Sequence, residues 1–216
     1  MFIAFISGRW SDGYALFPLL QEMMEQSEYG IMGVNCEKGF NAFLHIAVAR
    51  EDSNAIDTTV AALNRLYPDA TSLPRLLMTA LLTDEIPKIE DGFSDEHKEI
   101  KEIALAFYNE HGIPVPEAFV EQLHDPGWRH VAALDYLAIA EALAADDNEK
   151  LAEAIDKAEE HHLIVHAARM RIVLAQRTRD KAHLEKARQV LEKLGDRHFL
   201  SRLQEVEAAL ASHAAA

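Results

Sequence analysis

The 216-residue chain is 49% hydrophobic and 26% charged, a globular composition long enough to bury a sizeable core and far from that of a disordered chain. Its only cysteine, Cys36, excludes an internal disulfide and a cysteine-built zinc cage, and no apolar run approaches the roughly 18–20 residues that cross a bilayer, so a cytoplasmic chain with no membrane partner is the expectation. The net charge of −15 is uneven, with 11 Lys and Arg against 30 Asp and Glu in residues 1–160 and 10 against 6 in residues 161–216; the acidic body argues against nucleic acid as a partner, while the basic end suits an acidic peptide.

In chain order, the apolar run Met1 to Ile6 is too short for a secretion signal and lacks its basic lead, and Phe2 to Ile6 reads as a short strand with no obvious partner. Tyr14, Phe17, Leu20, Met23 and Met24 have helical spacing, which requires Pro18 to fall in the first turn. Phe40 to Arg50 is a second apolar helix, and Asp52, Ser53 and Asn54 offer the cap of a third that runs to Tyr67 and is closed by Pro68. Pro74 suits the first position of a helix from Leu73 to Leu82. The stretch Thr83 to Gly92 reads as a loop that divides an N-terminal helical region, 1–92, from the remainder, 93–216. Ser94 then caps a helix that Gly112 ends, and a short helix from Pro116 to Leu123 stops at Asp125, Pro126 and Gly127. Helical periodicity continues from Trp128 onward. The fold class is all-α, with about ten helices.

The last third repeats. An offset of 33 lays Asp147 on Asp180, Leu151 on Leu184, Ala154 on Ala187 and Ala158 on Leu191, and a looser copy reads Asp52, Ile56, Thr59 and Leu63. Each Asp falls in the turn after an apolar helix, and the following three positions share one face of the next helix. The small residue is placed where two helices of a hairpin cross closely. Over residues 130–212 this pattern resembles tetratricopeptide repeats, with Ala154 and Ala187 in the place of the small residue of the second helix. The turn Arg177 to Asp180 and the segment Leu184 to Asp196 resemble more the degenerate, longer-turned repeats of MalT and LuxR-type bacterial regulators. The tryptophan, glycine and tyrosine of the standard first helix are missing. The resemblance implies a helical-hairpin α-solenoid that binds a ligand or partner protein in bacterial regulation. No helix-turn-helix for DNA is present in the sequence. The final helix, with Phe199, Leu203, Val206 and Leu210 on one stripe and Arg202, Glu205 and Glu207 opposite, reads as a capping helix, with a homodimer seam as the alternative.

Two Glu-x-x-His pairs, Glu121 with His124 and Glu159 with His162, together with Glu141 and with Glu99 or Glu102 have the chain order of a di-iron carboxylate bundle. Glutamate and histidine are frequent enough here for such pairs to arise by chance, and the pairs sit at helix ends rather than mid-helix. His162 and His166, one turn apart, lack a third ligand. No phosphate-loop or nucleophile motif surrounds any serine, and no cofactor is expected. Arg169, Arg171, Arg177 and Arg179 form the one basic cluster, a candidate for binding an anionic partner, although at 100° per residue they do not share a face. Solvated helix flanks are the simpler account of them, around a core face of Val165, Ala168, Ile172 and Ala175. The expectation is a non-enzymatic helical-repeat protein that binds a protein or peptide. The alternatives are a di-iron metalloenzyme and an acidic mimic of nucleic acid that blocks a DNA-binding partner.

Overall fold

The computed structural model describes residues 2–26, 34–69, 72–83, 98–115, 119–121 and 131–214. Among these residues there is no strand. The helices are α1 (Phe2–Ile6), α2 (Trp10–Gln26), α3 (Val34–Ala49), α4 (Ser53–Leu66), α5 (Leu73–Thr83), α6 (Lys98–Glu110), α7 (Val131–Ala144), α8 (Asn148–Glu160), α9 (Ile164–Thr178), α10 (Lys181–Leu194) and α11 (Arg197–Ala214). The chain forms two compact units, Met1–Ala104 and Leu105–Ala216, divided within α6. The expected loop Thr83 to Gly92, the Ser94 cap and the stop at Asp125 to Gly127 fall, apart from Thr83, outside the described residues.

In the first unit α3 is the central helix, packed by α1, α2, α4 and α5. Its run Phe40, Phe43, Leu44, Ile46 and Ala47 is wholly buried, as an apolar sequence without a polar face demands. Two expectations are corrected here. Phe2 to Ile6 is helical rather than extended; with no strand to pair with, its backbone groups are satisfied within the turn, and Phe5 O accepts from the buried Trp10 indole at 3.1 Å. Pro18 lies in the middle of α2, not in its first turn. The helix continues through it with Pro18 exposed, while Phe17 stacks on Phe43 at 3.8 Å between centroids and Tyr14 meets the same ring at 5.1 Å. Tertiary packing of that aromatic face offsets the missing backbone donor.

One turn recurs. Glu51, Asp146, Arg179 and Gly195 have φ of 57°, 55°, 61° and 70°, the left-handed geometry that ends a helix. Each is followed by an aspartate that caps the next helix. Asp52 accepts from Ala55 N at 3.1 Å, Asp147 from Lys150 N at 3.0 Å, Asp180 from Ala182 N at 2.9 Å and Asp196 from Phe199 N at 3.2 Å. These caps satisfy donors that the first turn of a helix leaves without partners. The Lys150 amide bond holds the Asp147 carboxyl below the usual carboxylate range.

In the second unit α9 is buried on every side from Val165 to Ala175 and packs against α8, α10 and α11. The stripe Phe199, Leu203, Val206 and Leu210 of α11 closes over Ala168, Ile172 and Ala175 of α9 and Leu184, Ala187 and Leu191 of α10. Ser201, Gln204, Glu205 and Ala208 of α11 face solvent. Gly112 ends α6 with φ +68°, and a Cβ there would stand 2.9 Å from Val173 Cγ1. Both the backbone angle and the close approach require glycine.

Candidate binding groove and buried charge network

The first hairpin of the second unit, α7 and α8, leaves a groove of about 500 Å³ along its length. From α7 come Ala138, Glu141, Ala142 and Ala145; from α8 come Lys150, Glu153, Ala154 and Lys157. The geometry follows from the sequence. Residues three and four apart share a face of a helix, and on these two faces the chain places alanines where larger side chains would interlock. Beside the four alanines the lining carries two glutamates, Glu141 and Glu153, and two lysines, Lys150 and Lys157. Lys150 is drawn to Asp147 at 3.3 Å. Among the described residues Glu153 has no ion-pair partner.

The second feature is interior. Arg169 is 2% exposed and donates from Nη1 to Glu110 Oε2 at 2.9 Å, and from Nε and Nη2 to Asp196 Oδ2 at 3.1 and 2.9 Å. Its guanidinium lies 4.2 Å from the Phe199 ring centroid. Burial alone would lower its pKa, but the carboxylates of Glu110 and Asp196 outweigh that and hold it above the usual arginine value. His166 Nδ1 stands 2.9 Å from Glu110 Oε1, so this nitrogen carries the hydrogen, and its ring meets Tyr136 edge-on at 4.5 Å. Asn109 donates to Tyr136 O at 2.8 Å, and Arg202 donates to Glu110 O at 2.8 Å. His166 Nε2 and Asn109 Oδ1 have no hydrogen-bond partner among the described residues. The network ties α6, α7, α9, the α10–α11 turn and α11 together at one point.

The four candidate arginines therefore occupy separate places. Arg169 is the centre of this network. Arg171, 5% exposed, meets Asp156 at 2.8 Å and also Glu159, and these carboxylates raise its pKa against the opposing effect of burial. Arg177 pairs with Asp146 and donates to Asn148 at 2.8 Å. Arg179 is the exposed left-handed residue before Asp180. Arg169 and Arg171 are not on a solvated flank, because α9 is covered all round and each finds carboxylates on neighbouring elements. The sequence showed these partners as acidic residues on other elements but held no signal of their pairing.

Of the metal-type candidates, Glu121 is exposed, His124 lies outside the described residues, and Glu141 lines the groove. Glu159 is engaged with Arg171, and His162 is exposed in the α8–α9 turn with φ 66°. His162 and His166 do not share a helical turn, since α9 begins at Ile164 and His166 is buried. Among the described residues no three His, Cys, Asp or Glu side chains group as metal ligands. No described helix is long and apolar enough to cross a membrane.

No protein-family model matches the chain, and no curated protein or solved structure is similar to it.

Proposed function

We propose that this chain is a non-enzymatic helical-repeat protein that receives a segment of a partner protein in the α7–α8 groove. The groove is the observation that carries the reading: an open, alanine-floored channel with charged lips is a receptor for a side chain or helix rather than an enclosed site that excludes water for chemistry. The repeat reading draws support from the backbone. Left-handed residues occur at Asp146 and Arg179 and again at His162 and Gly195, each pair 33 apart. Leu151 and Leu184 are 0% and 1% exposed, as are Ala158 and Leu191 at 0% each. The paired small residues differ in one respect: Ala187 is wholly buried under α11, whereas Ala154 is half-buried and borders the groove. A regulatory role in bacteria rests on the resemblance of these hairpins to repeats of regulator proteins.

Panning a random-peptide library against the full chain tests this reading, with Ala154→Leu and Ala138→Leu run in parallel as groove-filling variants. Peptides that bind the parent and lose binding to both variants are expected, with unchanged thermal melts. A library that yields no peptide distinguishing parent from variants would overturn the reading.

A further inference from the structure

We draw no further inference here: the strongest candidate, the Asp135–His161 pair where the end of α8 meets α7, in which a buried carboxylate 2.8 Å from Nδ1 orients an exposed imidazole, has no third metal-type ligand grouped with it among the described residues, and nothing in the structure shows what it would act on.

Discussion

Replacing Arg169 by Met removes the guanidinium that pairs with both Glu110 and Asp196 in the interior. The three side chains are 2%, 4% and 0% exposed, and both ion-pair distances are 2.9 Å. Water cannot take over the arginine's role at that depth. Glu110 would keep His166 at 2.9 Å and Asp196 would keep the Phe199 amide at 3.2 Å, but both would lose the Arg169 guanidinium. Stranding a buried charge in this way costs about 3–5 kcal/mol. The stacking of Arg169 over Phe199 is lost as well, although the Met stem keeps part of that contact. Because the chain has two compact units, the effect should be read where it occurs: hydrogen exchange of the α9 and α11 amides, in the parent and the variant, reports the opening free energy of the second unit. Arg169→Lys should fall between the two, since an ammonium cannot reach both carboxylates in the same geometry. The decisive comparison is Glu110→Gln, Arg169→Met and Asp196→Asn made together, which removes all three of these buried charges and preserves both the Asp196 cap, which Asn can make, and an acceptor for His166. That triple variant should recover most of the loss. A cost below about 1 kcal/mol for Arg169→Met, or a triple variant no more stable than the single one, would refute the argument that this pairing holds the second unit together.

Ala187→Leu should destabilise by about 1–3 kcal/mol, because Ala187 is 0% exposed beneath α11, whereas Arg179→Ala, in an exposed turn, should cost no more than about half a kcal/mol; thermal melts at matched salt separate them. Gly112→Ala should cost about 1–3 kcal/mol from the left-handed φ and the approach to Val173, and adding Val173→Ala should relieve only the steric part, as denaturant titration of the single and double variants will show. Tyr14 is pushed up to about 12 by burial and by the Asp52 carboxylate to which it donates at 3.3 Å. A raised folded value means its contribution is complete below the ordinary value of 10 and is lost as pH rises through about 12. An ultraviolet titration of tyrosinate should therefore lose a component that ionises near 12 in Tyr14→Phe, and alkaline unfolding of that variant should depend less steeply on pH between those values.

Apart from Phe2 to Ile6 and the place of Pro18, the described helices and their caps were legible in the sequence, because these depend on neighbours along the chain. Asp52, Asp147 and Asp180 are legible as caps since a short side-chain oxygen reaches an amide two or three residues on, and α4 and α5 begin and end within a residue or so of where Pro68 and Pro74 place them. The stripe Phe199, Leu203, Val206, Leu210 is legible for the same reason, since helical spacing fixes which residues share a face. What only the tertiary structure decided is what each face meets. Arg169 and His166 have the composition of a solvated flank, and they are buried because Glu110, 59 and 56 residues away in sequence, arrives beside them and supplies the countercharge that makes burial tolerable. Pro18 sits mid-helix because a stacked aromatic face, formed with a residue of another helix, outweighs one lost hydrogen bond. Ala154 and Ala187 stand 33 residues apart in matching sequence patterns and read alike there. One is buried under α11 and the other lines an open groove, since the bulk that surrounds an alanine is contributed by residues at other positions, and no local pattern encodes where those residues stand.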